Sequence, residues 1–72
     1  MSKRRFEFAG GKSNKFWEIE VSGTEVTVCF GRIGTDGQSQ TKPFDNAAQA
    51  AKHAEKLIGS KLKKGYAEVV IA

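Results

Sequence analysis

Seventy-two residues carry 12 Lys and Arg against 8 Asp and Glu, a formal net charge of +4, with 39% hydrophobic residues and one cysteine. A chain of this length makes one small domain that buries only about 60% of the surface its unfolded form exposes. One cysteine excludes an internal disulfide, no stretch approaches the roughly 18 apolar residues of a membrane span, and the excess of positive charge points weakly toward polyanions.

The basic start Met1-Ser2-Lys3-Arg4-Arg5 has no apolar run behind it and does not read as a signal peptide. Residues 4–9 alternate, with Phe6 and Phe8 on one face, and predict a first strand. Gly10 to Asn14 is turn chemistry. Residues 15–21 alternate again, with Trp17, Ile19 and Val21 on one face and Glu18 and Glu20 on the other. Ser22-Gly23 turns into a third strand over 24–33, rich in Thr, Val and Phe. In it Cys29, between Val28 and Phe30, reads as a small buried apolar residue, consistent with a reducing cytosol. Gly34-Thr35-Asp36-Gly37 closes a hairpin, because Asp-Gly supplies the positive φ angles that tight turns need. A fourth strand over 38–44 follows, with Pro43 near its end.

The period then changes from two to between three and four. Asp45 or Asn46 caps a helix, and Ala47, Ala50, Ala51, Ala54, Leu57, Ile58 and Leu62 form its apolar stripe. Gly59 costs that helix roughly 1 kcal/mol relative to alanine, yet Leu62 extends the stripe and Gly65 is the better terminator. Residues 66–71 read as a short final strand. The expected fold is α+β, one domain over residues 1–72: an antiparallel β-meander of four strands plus a short C-terminal strand, with one helix packed on one face.

Chemistry is sparse along this chain. His53 falls beside Lys52 on what reads as the outward flank of the helix, and one His with one Cys supplies neither a metal site nor an activated nucleophile. No cofactor, small-molecule substrate or catalytic role is expected. The segment Phe30-Gly31-Arg32-Ile33-Gly34-Thr35-Asp36-Gly37-Gln38 says more. Residues two apart in a strand share a face, so Phe30 and Arg32 together offer a ring for stacking and a guanidinium for a phosphate. The same parity aligns Phe30 with Val26 and Val28, which makes it core if the helix covers that face. Its exposure requires a bulge near Gly31 or a helix that covers only part of the face. Gly31, Gly34 and Gly37 lie between two strands rather than before a helix, so they read as backbone-shaping residues, not a phosphate loop. Lys61, Lys63 and Lys64 either complement the helix dipole or contact phosphates; Lys12, Lys42 and the Lys3-Arg4-Arg5 cluster are similar candidates.

Asn14-Lys15-Phe16-Trp17-Glu18-Ile19, the Phe30–Gln38 segment, Phe44 with alanines at helical spacing, and Lys61 with Lys64-Gly65-Tyr66 occur in the order of a WGR domain, which this chain resembles over residues 5–70. That family includes domains beside the catalytic region of DNA-damage-activated poly(ADP-ribose) polymerases and small or composite bacterial proteins. The resemblance implies a non-catalytic module that binds duplex DNA at ends or nicks. Phe30 stands where the family's motif tryptophan stacks on a terminal sugar, and Arg32 at the motif arginine that contacts the backbone. Asn14 and Lys15 match an Asn-Lys pair placed at DNA. With Gln38, Lys61 and Lys64 they complete the candidate nucleic-acid-binding set. Phenylalanine for tryptophan keeps a π-face with less area, where a stacked ring is worth about 1–3 kcal/mol, so a weaker contact is implied. The expected partner is DNA or RNA, in the cytoplasm (nucleoid-associated if bacterial), and the alternative is a module that recruits a partner protein by a strand edge.

Overall fold

The computed structural model describes residues 2–69. Four strands run as an antiparallel meander, β1 (Ser2–Gly10), β2 (Ser13–Ser22), β3 (Glu25–Arg32) and β4 (Gln38–Pro43). Helix α1 (Ala47–Lys63) follows, then β5 (Ala67–Val69). The sheet order is β4-β3-β2-β1-β5, with β5 antiparallel to β1. The α+β class and the one helix among the described residues match the sequence reading; the final strand begins at Ala67, one residue later than expected, and Val70 and Ile71 lie outside the described residues. The first turn is also tighter, since Gly10 pairs with Ser13 around Gly11-Lys12.

Cross-strand register places Phe6 opposite Trp17, Ile19 opposite Val28, and Val21 opposite Val26. These side chains share the face that α1 covers. Ala50, Ala54 and Ile58 complete the core with Phe6, Trp17, Ile19 and Val26. Ala50 is 0% exposed. With only methyl groups at Ala50 and Ala54 the helix axis can sit close to the sheet, and Trp17 packs on Phe6 with ring centroids 5.6 Å apart.

The helix ends are set by the residues the sequence offered. Asn46, not Asp45, is the N-cap, and its side-chain oxygen accepts from the Gln49 N–H at 2.8 Å. At the other end the Tyr66 N–H donates to the Lys61 carbonyl and the Gly65 N–H to that of Leu62. Gly65, at φ 102°, supplies the left-handed residue this Schellman closure requires. The helix therefore runs through Gly59 unbroken.

Three stripe assignments need correction. Leu62 is 50% exposed, and Ala47 and Ala51 are exposed as well. The buried arc is centred on Ala50, Ala54, Leu57 and Ile58, with His53 and Lys61 on its flank, so His53 is half-buried rather than solvated. Its ring lies 4.8 Å from that of Phe44. Cys29 is also not core: it faces away from the helix, half-buried, with its Sγ 3.5 Å from the Asp36 carbonyl.

The helix path decides what stays open. It begins beyond the end of β4 and must deliver the chain to β5 at the opposite sheet edge. Four strand spacings amount to about 19 Å, and a 17-residue helix is about 25 Å long. The helix therefore crosses the sheet on a diagonal and leaves two opposite corners uncovered. One lies over β3 and β4 beside Phe30 and Arg32; the other lies over β1 and β2 beside Arg4, Ile19 and Val21.

Candidate functional site

The larger uncovered corner is a groove of about 1080 Å³ between α1 and strands β3 and β4. Val28, Phe30 and Gln40 lie along its floor, with Leu57 and His53 on the helix side. Lys15, Arg32, Lys42 and Lys61 are its charged residues, and among the described residues no Asp or Glu lines it. Charge of one sign around a partly apolar floor attracts an extended anion that also carries flat apolar surfaces.

Register explains how Phe30 comes to be there. Phe30 pairs with Trp17, Gly31 with Phe16 and Arg32 with Lys15, without a bulge. Of the two conditions that parity set, the structure meets the second: the helix covers only part of the face. Phe30 is half-buried, packed by one side against the core and open to the groove by the other.

The five-residue loop 33–37 leaves the groove clear because it folds onto the opposite face. Gly37 sits over Gly31 there, and a Cβ on Gly31 would lie 2.8 Å from the Gly37 Cα. Thr35 ties the loop down, its N–H and Oγ both donating to the Arg32 carbonyl. The loop and the Arg5 guanidinium, 4.6 Å from the ring centre, cover Phe16, which is 4% exposed. Consecutive Phe16 and Trp17 are thus buried on opposite faces of β2, although the sequence reading gave that second face to Glu18 and Glu20 alone.

The structure gathers some of the expected side chains and separates others. Lys15, Phe30, Arg32 and Lys61 line the groove. Gln38, opposite Phe30 on exposed β4, shares that face just beyond the lining. Lys64 lies past the helix end, close enough to Lys61 to act on its charge. Asn14 pairs with Ala9 and so projects to the other face, while its carbonyl accepts from the Ile33 N–H at 3.0 Å. The N-terminal basic cluster is committed elsewhere. Arg4 binds Glu68 through two hydrogen bonds of 2.7 Å, Arg5 reaches Glu7 at 2.9 Å and Glu18 at 2.6 Å, and Lys3 lies 3.4 Å from Glu18. Each of those three cations thus has a carboxylate partner, Lys3 and Arg4 at exposed positions.

Lys61 shows the reverse situation. Burial holds its ammonium below the ordinary lysine range, and the neighbouring charges of Lys64 and Lys15 push the same way. Its Nζ lies 5.5 Å from the Trp17 ring centre and 5.2 Å from that of Tyr66. A cation partly desolvated beside other cations is poised to gain from an incoming anion.

His53 is the functional candidate that sequence reasoning placed wrongly. The signal was present: 50, 53, 54, 57, 58 and 61 recur at spacings of three and four, and that arc places His53 on the inner flank. The sheet lies between His53 and Cys29, so they form no pair. Among the described residues no three His, Cys, Asp or Glu side chains gather as a metal site, and no helix is long and apolar enough to cross a membrane.

Comparison with known proteins agrees with this architecture. A model of the WGR domain matches residues 3–71. The chain is 50% identical over 66 residues to the uncharacterized protein YfeS of Escherichia coli (strain K12), covering 92% of this chain and 27% of that protein. It is 49% identical over 65 residues to the protein YehF of the same organism, covering 90% of this chain and 24% of that one. A crystal structure of a Bacteroides fragilis protein superposes with a TM-score of 0.94 at 54% identity, covering 96% of this chain and 20% of the other. The chain thus spans about a quarter of the length of the curated relatives it matches.

Proposed function

The chain belongs to the WGR domain family, a nucleic-acid-binding type of module in general, and we propose that its groove serves to bind duplex DNA at ends or nicks. The observation that carries this reading is the set of Lys15, Arg32 and Lys61 around a floor containing Phe30, with no carboxylate among the described lining residues. Arg32 and Lys15 hold backbone phosphates at the end of the duplex, with Lys61 beside them and Lys64 further out. Phe30 meets the sugar of the terminal nucleotide. Phosphate and sugar contacts position a protein without reading sequence, and α1 is packed against the sheet by the face that would otherwise carry base-reading side chains. The module is therefore expected to prefer a structure in DNA, not a sequence.

Salt dependence and one substitution test this. Four neutralised phosphates, at Lys15, Arg32, Lys61 and Lys64, give a slope of log affinity against log salt near −3.6, from about 0.9 per phosphate. A short 5′-phosphorylated duplex is titrated against the wild type and Arg32→Ala at several salt concentrations. Tight binding at low salt, that slope, and loss in Arg32→Ala at unchanged melting temperature support the reading. A flat salt response, or no wild-type binding at low salt, overturns it.

A further inference from the structure

Resting on the reading above, we infer that the groove is a track for one unpaired nucleic-acid strand, entering beside Lys15 and Arg32 and leaving past Lys42 and His53. The groove is longer than a terminal nucleotide requires. Lys42 is paired with Val26, and Arg32 lies further along the same strand, β3. At about 3.3 Å per residue the two cations are roughly 20 Å apart along the sheet. Its volume of about 1080 Å³ stands at the top of the range of small-ligand pockets, roughly 300–1,000 Å³, and it is drawn out along β3.

Chemistry along the track suits a single strand. Cations stand at both ends, Lys15, Arg32 and Lys61 at one and Lys42 at the other, where phosphates would be held. Between them Val28, Phe30 and Gln40 present apolar, aromatic and amide surface, which suits base faces and edges. At the exit the His53 ring rests against Phe44 and the Lys42 ammonium lies 5.6 Å from the Phe44 ring centre. A positively charged groove with interleaved rings is the general design for unpaired strands, and a track of this length matches the low end of their site sizes, about four nucleotides. A duplex carries two backbones on one stiff body, whereas the groove offers a single line of cations from Arg32 to Lys42. The duplex docks at the Lys15–Arg32 end, and a frayed or overhanging strand continues inward.

Three probes separate this inference from the function it rests on: a blunt 5′-phosphorylated duplex, the same duplex with an overhang of about four nucleotides in either polarity, and that overhang sequence alone. Binding is measured for the wild type, Lys42→Ala, His53→Ala and Arg32→Ala, each checked by thermal melting. The overhang should tighten wild-type binding about tenfold over the blunt duplex, for at least one stacked base. Lys42→Ala and His53→Ala should abolish that gain and leave blunt-duplex affinity unchanged, whereas Arg32→Ala should weaken both. Equal wild-type affinity for blunt and overhanging duplexes overturns the track alone, as does a Lys42→Ala loss of equal size on both. Failure to bind any of the three overturns the DNA reading with it.

Discussion

Lys15 and Arg32 stand directly opposite one another across the β2–β3 ladder, two cations at the same end of one groove. Like charges in directly opposed positions destabilise a strand pair, by roughly 0.2–1 kcal/mol. The fold tolerates this repulsion where a bound anion would relieve it. Arg32→Gln and Lys15→Gln should therefore leave the melting temperature unchanged or raise it slightly. Affinity for a phosphorylated duplex should fall about tenfold or more, the size of one lost charge-assisted hydrogen bond of about 1.5–3 kcal/mol. Thermal melting beside fluorescence anisotropy reads both. A clear drop in stability would show instead that the pair is structural.

Gly37 fixes where the loop goes, and so keeps the groove clear. It adopts φ 70°, and a Cβ there would lie 2.5 Å from the Phe30 carbonyl oxygen and 2.7 Å from the Phe16 ring. Gly37→Ala combines backbone strain with overpacking, each worth about 1–3 kcal/mol. A loss of at least 2 kcal/mol is on the order of 8 °C or more in melting temperature for a domain this small. A melting temperature within a degree or two of wild type would show that the loop packs differently.

How much of this was legible in the sequence depends on which interaction set each feature. Alternation in Trp17, Ile19, Val21 and in Val26, Val28, Phe30 marked the strands and their inner faces, because period two follows from the backbone alone. Asn46 and Gly65 marked the helix ends by local chemistry. The helix path was not legible. It follows from β5 joining β1 at the far edge of the sheet, a long-range pairing that no local pattern encodes. Phe30 therefore had a known face but an unknown cover. His53 and Leu62 were exchanged because alanine fills much of the helix and dilutes the apolar stripe, so apolar type alone did not locate its centre. The Arg4 and Arg5 ion pairs arise from the β1–β5 and β1–β2 registers, so parity put the two arginines on opposite faces but could not name their carboxylate partners.

Gly59 offers stability without touching the site. It lies in the exposed interior of α1, and a Cβ there would meet nothing within 4 Å. Its backbone is helical, so alanine keeps the geometry and narrows the unfolded ensemble. Gly59→Ala should stabilise by about 0.5–1 kcal/mol, seen as a rise of a few degrees in melting temperature, with duplex affinity unchanged. A destabilised variant would indicate that the helix needs a weak point at Gly59.

Lys61 ties the site to pH, and the sign follows from its direction of shift. Folding lowers its pKa from the ordinary 10.5, through burial first and then Lys64 and Lys15. Between the folded and unfolded values the unfolded chain binds more protons, so this group's unfavourable contribution to stability, complete below the folded pKa, is relieved as pH rises. A phosphate in the groove acts oppositely: it favours the charged ammonium and draws the pKa back up. Binding then takes up a proton at alkaline pH. The favourable contribution of Lys61 to affinity is complete below its pKa in the free protein and fades as pH passes through that value. Affinity for a phosphorylated duplex, measured at constant ionic strength from neutral to mildly alkaline pH, should begin to fall before an ordinary lysine would deprotonate. Lys61→Arg, which stays charged throughout, should hold its affinity across the same range. A wild-type profile as flat as that of the arginine variant would mean that Lys61 does not face the phosphate.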